Sequence, residues 1–164
     1  MTSSRLFRSV PTSVAPEAQL TIPVPSRPTI LLVDDYVDAL EVWGLYLRAA
    51  GYNVLTAPDG LTALSVATDA HPDLVVLDLE LPGKSGIEVA TILRAQPVTR
   101  DVPIIAATGY SHARQLDLAR KSGFDAIVIK PCDPELLLGE IRRLLARRAE
   151  RAFTVDGQTD TSQG

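Results

Sequence analysis

Five short runs of apolar residues, each followed by a segment with helix signals, constrain the fold of this chain more than any other feature. The runs span residues 29–33, 52–57, 73–79, 102–108 and 125–129. Four of them are apolar at nearly every position rather than at alternate positions, which is typical of strands covered on both faces in a parallel sheet. Five strands that alternate with helices predict right-handed crossovers and a doubly wound α/β sheet.

The segments that follow the apolar runs carry the helix signals. In the first of them, apolar or small residues recur at three- and four-residue spacing, namely Val37, Leu40, Gly44 and Leu47. Ser85 and Glu88 have the spacing of a capping box, which predicts the start of a helix. Asp133 and Pro134 supply an N-cap and a first-turn proline, which predict the start of the last helix.

The chain divides into three parts by composition. Residues 1–28 hold five of the twelve prolines and show no helical or alternating period, so we expect a flexible N-terminal extension. Residues 29–150 form the predicted domain. Residues 151–164 are expected to be a short polar tail that frays. After residue 150 too little sequence remains for a separate output domain, so we expect a single-domain protein.

Composition and charge exclude several classes of protein. The formal net charge is -4, which makes nucleic acid or an anionic membrane surface an unexpected partner. The single cysteine, Cys132, permits no internal disulfide and favours a reducing compartment. No stretch reaches the ~20 apolar residues that cross a bilayer, and no apolar segment of a signal peptide follows the N-terminal arginines. We therefore expect a cytoplasmic protein.

Polar residues that suit metal and phosphate chemistry lie at the carboxyl ends of four of the predicted strands. The first predicted strand ends at Asp34 and Asp35, the third at Asp78, the fourth at Thr108 and the fifth at Lys130. Sites in doubly wound sheets form at the carboxyl ends of the strands, so these side chains should converge. Two carboxylates about 4 Å apart repel by roughly 4 kcal/mol at an effective dielectric constant near 20. A divalent cation would offset this repulsion, and oxygen ligands without histidine or cysteine favour Mg²⁺.

A lysine and a hydroxyl beside such a metal site suit phosphoryl transfer. Lys130 and Thr108 can each hold one phosphoryl oxygen while the metal takes another, and one carboxylate can act as the nucleophile. Positioning and charge neutralisation are most of what phosphoryl transfer requires. The sequence therefore predicts a site that forms an aspartyl phosphate.

Four motifs, in order and spacing, resemble the receiver domain of two-component response regulators. They read LLVDD, VVLDLELPGKSG, IIAATG and IVIKP, and the resemblance covers about residues 28–150. It implies a flavodoxin-like (βα)5 fold, with a five-stranded parallel sheet of strand order 2-1-3-4-5. It also implies a role in bacterial signalling rather than catalysis on an outside substrate.

The resemblance assigns roles to the site residues. Asp78 would be the phosphoacceptor. Asp35 and Asp78 would bind Mg²⁺ directly and Asp34 through water, with the backbone carbonyl of Glu80 as a further ligand. Thr108 would move onto the phosphoryl group.

Lys130 would pair with the same phosphoryl group, and the bond before Pro131 would be cis. The donor would be a phosphohistidine on a sensor histidine kinase or a histidine phosphotransfer protein. The signal would pass to a downstream protein target by contact, from a monomer or weak dimer. One departure concerns output: Ile127 occupies the position, three residues before the lysine, where the family usually has Tyr or Phe. We therefore expect an output surface that differs from the common one.

Two alternatives remain open at this stage, and a third is disfavoured by the sequence. A phosphorylation-independent interaction module could keep the fold without switching, and Ile127 favours it. A phosphohydrolase with an aspartyl nucleophile would use an acid two residues further on, the spacing of Glu80. A flavodoxin-like cofactor binder shares the architecture, but Asp34 and Asp35 replace its hydroxyl- and glycine-rich loop.

A cluster of arginines on the last helix has two interpretations. The cluster comprises Arg142, Arg143, Arg147, Arg148 and Arg151. Cations near a helix C-terminus are favourable on a solvated face, which is the simpler interpretation. The other is a docking surface for an acidic partner, or a weak nucleic-acid contact.

Overall fold

The computed structural model describes residues 26–109 and 112–156. The predicted flexible extension, apart from residues 26–28, lies outside the described residues, as do residues 157–164 of the predicted tail. Within the described ranges, no helix combines the length and apolar character needed to cross a membrane.

Five parallel strands form one sheet in the order β2-β1-β3-β4-β5, as predicted. The strands are β1 (Thr29–Val33), β2 (Asn53–Ala57), β3 (Leu74–Leu77), β4 (Ile104–Thr108) and β5 (Ala126–Ile129). The helices are α1 (Val37–Ala49), α2 (Gly60–Ala70), α3 (Gly86–Ala95), α4 (Ala113–Lys121) and α5 (Pro134–Asp156).

Apolar side chains cover both faces of the sheet, as the strand pattern predicts. Leu31 and Val33 of β1 point to one face and pack in a buried cluster with residues of α2, α3 and α4. Ile30 and Leu32 point to the other face and pack with residues of α1 and α5. Successive strand residues face opposite sides, so a fully apolar strand is satisfied only when helices cover both sides.

The predicted helix starts are present. Ser85 Oγ accepts a hydrogen bond from the Glu88 N–H (3.3 Å), and Glu88 Oε2 accepts one from the Ser85 N–H (2.9 Å), which completes the capping box of α3. The Asp133 carboxylate accepts the Glu135 N–H (2.9 Å) at the start of α5. Leu40, Gly44 and Leu47 are buried on α1, whereas Val37, its first residue, is exposed.

Helix α5 continues to Asp156, past the domain boundary predicted at residue 150. Residues 151–156, which composition assigned to the polar tail, are therefore helical. The reason lies in the sequence around the boundary, because residues 140–156 contain no glycine or proline and residues 141–152 are mostly leucine, alanine, arginine and glutamate. These four residue types are among those with the highest helix propensities.

Arg94, near the end of α3, ties together the loops that lead into β4 and β5. Its guanidinium donates to the carbonyl of Gly123 from Nε (3.0 Å) and Nη2 (2.7 Å), and to the carbonyl of Val102 from Nη1 (2.6 Å). Nη2 also donates to Asp125 Oδ2 (2.8 Å), which accepts the Ile104 N–H as well (2.8 Å). Arg94 thus fixes where the last two strands begin, and thereby where their carboxyl ends lie.

Candidate functional site

The strand register brings the predicted site residues to one edge of the sheet. Val33 and Leu77 are partners in the β1–β3 pair, so Asp34 and Asp78, which follow them, lie side by side. The Asp78 N–H also donates to the carbonyl of Val33 (3.0 Å). This edge is the point where the strand order reverses, because β1 pairs with β2 on one side and with β3 on the other.

Thr108 and Lys130 reach the same edge from β4 and β5. Thr108 is the last residue of β4 and is fully buried. Lys130 follows β5, and its N–H donates to the carbonyl of Thr108 (2.8 Å). The peptide bond between Lys130 and Pro131 is cis, as the resemblance implies.

Three carboxylates form a compact acidic cluster. Asp34, Asp35 and Asp78 each offer one oxygen, and these oxygens all lie within 4.8 Å of one another. Asp34 and Asp78 are 6% and 7% exposed, whereas Asp35 is exposed. The buried pair therefore forms the floor of the cluster, and Asp35 forms its solvent side.

Lys130 bridges the two buried carboxylates. Its Nζ donates to Asp34 Oδ2 (2.6 Å) and to Asp78 Oδ2 (2.9 Å). The second oxygen of each carboxylate accepts a backbone N–H, from Tyr36 to Asp34 Oδ1 (2.9 Å) and from Glu80 to Asp78 Oδ1 (3.0 Å). Both buried carboxylates are thus held in position at both oxygens.

The burial of the site changes the pKa values of two groups. Burial raises the pKa of Asp78, although hydrogen bonds from the Glu80 N–H and from Lys130 oppose this effect. Burial alone would lower the pKa of Lys130, but its hydrogen bonds to Asp34 and Asp78 outweigh burial and raise it. Lys130 is therefore charged at neutral pH, while the ionised carboxylate of Asp78 destabilises the folded state.

We expect Asp78→Asn to increase the free energy of unfolding at neutral pH in the presence of a chelator. A carboxyl whose pKa is raised on folding stabilises the folded state below its unfolded pKa, here 3.8, and loses that contribution as the pH rises through the folded pKa. The gain from the substitution should therefore be larger at pH 7 than near pH 4. Urea unfolding at the two pH values measures it. A variant less stable than the wild type at pH 7 would contradict the burial argument.

The donor set fits Mg²⁺. All three side chains offer carboxylate oxygens, the ligands that this ion prefers, and a single lysine leaves the cluster with excess negative charge. Asp35 makes no ion pair within the part of the chain that the structure describes. The side chain of Glu80 is exposed, and the ligand role of its backbone carbonyl stays a prediction.

Gly86 is a residue of the site that sequence reasoning did not identify. It is buried at the start of α3, and its N–H donates to the carbonyl of Leu79 (3.0 Å). A Cβ at this position would overlap the carbonyl oxygen of Asp78 and lie 2.8 Å from the Cα of Leu79. Only glycine allows α3 to begin this close to the backbone of Asp78. The signal in the sequence is a glycine directly after the Ser85 cap.

The fold and the site together define a doubly wound α/β domain with an acidic cluster and a lysine at the edge where the strand order reverses. A family model described as the response regulator receiver domain matches residues 30–142. The chain belongs to this family, and it is a receiver domain of the two-component type.

Curated relatives that match the chain are response regulators about twice as long as the matched region. The chain is 37% identical over 121 residues to the DNA-binding response regulator MtrA of Mycobacterium tuberculosis, covering 74% of this chain and 52% of MtrA. It is 37% identical over 119 residues to the phosphate regulon transcriptional regulatory protein PhoB of Pseudomonas aeruginosa, covering 73% of this chain and 52% of PhoB. The chain thus spans about half the length of the curated relatives it matches.

Solved structures of receiver domains share the fold. A CheY-like receiver domain from Methanospirillum hungatei superimposes with a TM-score of 0.73 at 26% identity, covering 77% of this chain and 99% of that one. The receiver domain of sensor histidine kinase PA1611 from Pseudomonas aeruginosa superimposes with a TM-score of 0.70 at 29% identity, covering 74% and 99%. The latter structure has a magnesium ion coordinated in its active site cleft.

Proposed function

We propose that this chain is a phosphorylation-controlled signalling protein in which Asp78 accepts a phosphoryl group from a phosphohistidine donor. The observation that carries the proposal is the position of Asp78, a buried carboxylate at the switch point of the sheet. It pairs with Lys130 and offers an oxygen within 4.8 Å of those of Asp34 and Asp35. This arrangement combines a nucleophile with the opposite charges that phosphoryl transfer needs.

In the proposed reaction, a carboxylate oxygen of Asp78 attacks the phosphorus in line with the leaving imidazole. The oxygen–phosphorus bond forms, the phosphorus–nitrogen bond breaks, and the imidazole leaves with the bonding electron pair and takes up a proton. Asp35, Asp78 and the Glu80 carbonyl would hold Mg²⁺ directly and Asp34 would hold it through water, and the ion would supply positive charge to the phosphoryl oxygens. The ammonium of Lys130 exchanges its bond to Asp78 Oδ2 for one to a phosphoryl oxygen.

The proposed output is contact with other proteins. The donor is a sensor histidine kinase or a histidine phosphotransfer protein, and the target is a protein that distinguishes the phosphorylated state. The chain acts as a signalling module whose only reactions are its own phosphorylation and dephosphorylation. A single-domain organisation, a monomeric or weakly dimeric state and a cytoplasmic location stay predictions, as does the expectation that nucleic acid is not a partner.

A second candidate function is that of a phosphorylation-independent interaction module. Ile127 supports it, because this side chain is half-buried against the cluster formed with α2, α3 and α4, and it has no polar end to exchange between solvent and the site. Beryllofluoride, a mimic of the phosphoryl group, separates the two candidates in an NMR titration with Mg²⁺. Shifts that reach α4 and β5 would support a switch, and shifts confined to the acidic cluster would support the module.

Intact-mass analysis tests the proposed phosphorylation. The full chain is incubated with acetyl phosphate in the presence of Mg²⁺, and parallel samples contain a chelator or carry Asp78→Asn. We expect the mass of one phosphoryl group only on the wild-type chain with Mg²⁺. An equal gain by the Asp78→Asn variant, or no gain by the wild type, would refute the proposal.

We expect Thr108→Val to weaken beryllofluoride binding about tenfold, because it removes the hydroxyl proposed to bond a phosphoryl oxygen while keeping the shape of the side chain. A hydrogen bond to a charged group contributes about 1.5–3 kcal/mol, which is a factor of ten or more in affinity. Thr108→Ser keeps the hydroxyl and is the control. Equal affinities for the two variants would exclude a bond from this hydroxyl.

A further inference from the structure

The end of α5 projects beyond the sheet on the side opposite Asp78. Buried contacts of the helix end at Leu144. Residues 145–154 are exposed except Leu145 and Arg148, which are half-buried. Arg148 Nη1 donates to the carbonyl of Asp73 (2.7 Å), just before β3. The helix is therefore anchored at the amino ends of the strands and continues from there to Asp156.

A groove of about 990 Å³ lies between this part of α5 and the loop that leads into β4. Its wall on the loop side includes Arg100, Asp101 and Pro103, and its wall on α5 includes Arg147 and Arg151. This groove forms because α5 extends past the edge of the sheet. No other described element covers this face of the helix.

The groove carries an excess of positive charge. It contains five arginines and three acids, namely Arg94, Arg100, Arg147, Arg148, Arg151, Asp101, Asp125 and Glu150. Arg94 and Asp125 pair with each other at 2.8 Å. Arg147 and Arg151 make no ion pair within residues 26–109 and 112–156. The chain as a whole has a formal charge of -4, so this positive surface is a local feature.

The chemistry of the groove favours an acidic protein segment over nucleic acid. Guanidinium groups bind carboxylates through two parallel hydrogen bonds, and the exposed Ala152 adds an apolar contact at the groove. Asp101 and Glu150 lie in the same groove and would repel a continuous row of phosphates. A peptide can place a cation or a neutral residue opposite these two acids.

We propose that this groove is a docking site for an acidic, partly apolar segment of a partner protein. Arginine is one of the residue types that contribute most to binding at protein interfaces, and Arg147 and Arg151 are exposed in the groove. The groove lies at the opposite ends of the strands from Asp78. Docking in the groove is therefore independent of the phosphorylation of Asp78. A partner bound there leaves the acidic cluster accessible to the phosphohistidine donor.

Fluorescence anisotropy on the full chain tests the proposal. The probe is a labelled helical peptide with glutamates four residues apart and leucines between them. The variant Arg147→Glu/Arg151→Glu reverses two charges in the groove, and Arg114→Glu/Arg142→Glu reverses two exposed charges outside it. We expect the groove variant to weaken binding at least about tenfold and the matched control to change it less than about twofold. The wild-type chain should bind the peptide equally well with and without beryllofluoride and Mg²⁺.

Other outcomes would overturn the proposal. Absence of peptide binding, or equal losses in both double variants, would show that the groove does not select the peptide. Tighter binding of a single-stranded RNA oligonucleotide, lost in the groove variant, would assign the surface to nucleic acid. Sedimentation that shows self-association lost only in the groove variant would assign it to a second copy of the chain. Circular dichroism checks that both double variants remain folded.

Discussion

Replacing Lys130 with methionine is expected to lower the free energy of unfolding by about 3 kcal/mol at neutral pH in the presence of a chelator. The side chains of Asp34 and Asp78 are 8% and 9% exposed, and Lys130 is the cation that bridges them. Removing it leaves two adjacent buried carboxylates without compensation. Lys130 is itself 25% exposed, so the estimate lies at the low end of the range for breaking a buried ion pair. Urea unfolding followed by circular dichroism measures the loss.

Two further variants control this measurement. Lys121→Met removes the same side chain from an exposed position of α4 without an ion pair among the described residues, and we expect it to change stability little. A double-mutant cycle with Asp78→Asn isolates the pair, because the second substitution should recover more free energy beside Lys130→Met than in the wild type. A Lys130→Met variant as stable as the wild type would show that Lys130 does not offset the negative charges of Asp34 and Asp78.

Replacing Gly86 with alanine is expected to destabilise the fold by about 2–3 kcal/mol and to reduce phosphorylation further than the loss of stability explains. The added Cβ would meet the carbonyl oxygen of Asp78 and the Cα of Leu79. These atoms belong to the backbone, so they cannot move aside as a flexible side chain does. The start of α3 or the backbone of Asp78 must shift. Thermal unfolding measures the stability, and acetyl phosphate incorporation at a temperature where the variant is folded measures the second effect.

Gly139→Ala is a control variant that we expect to raise the stability of the fold rather than lower it. Gly139 lies inside α5, and a Cβ there would meet no atom within 4 Å. Alanine is favoured over glycine in a helix interior by about 1 kcal/mol, so this variant should be more stable than the wild type. If Gly86→Ala were also neutral or stabilising, the close approach of α3 to Asp78 would not be a constraint.

The sequence predicted the architecture because its signals were local and mutually consistent. Apolar runs in β1, β3 and β4 are buried as expected, and the Ser85–Glu88 capping box starts α3 as predicted. The order of the strands came from the resemblance to receiver domains, since apolar runs alone do not specify which strands pair. The convergence of Asp34, Asp78 and Lys130 followed from the geometry of parallel sheets, which brings all carboxyl ends to one edge.

Contacts that depend on the backbone of distant segments could not be predicted. Arg94 binds the backbone carbonyls of Gly123, Val102 and Arg100. Every residue has such a carbonyl, so the residue types at these positions do not indicate the contact. The role of Gly86 likewise depends on how closely α3 approaches the end of β3 after folding. The extension of α5 differs from these cases. Helix propensity favours it, but the polar composition after residue 150 suggested a tail instead.

The most direct test of the central claim is to identify the phosphorylated residue chemically. The chain is phosphorylated with acetyl phosphate and Mg²⁺ and then reduced with borohydride, which converts an aspartyl phosphate into homoserine, and peptide sequencing by mass spectrometry locates the product. We expect reduction at Asp78 alone. Asp78 pairs with Lys130 and follows β3, the strand that lies between β1, which Asp34 and Asp35 follow, and β4, which ends at Thr108. Reduction at Asp34 or Asp35, or at no carboxylate in a chain that has gained a phosphoryl group, would contradict the account.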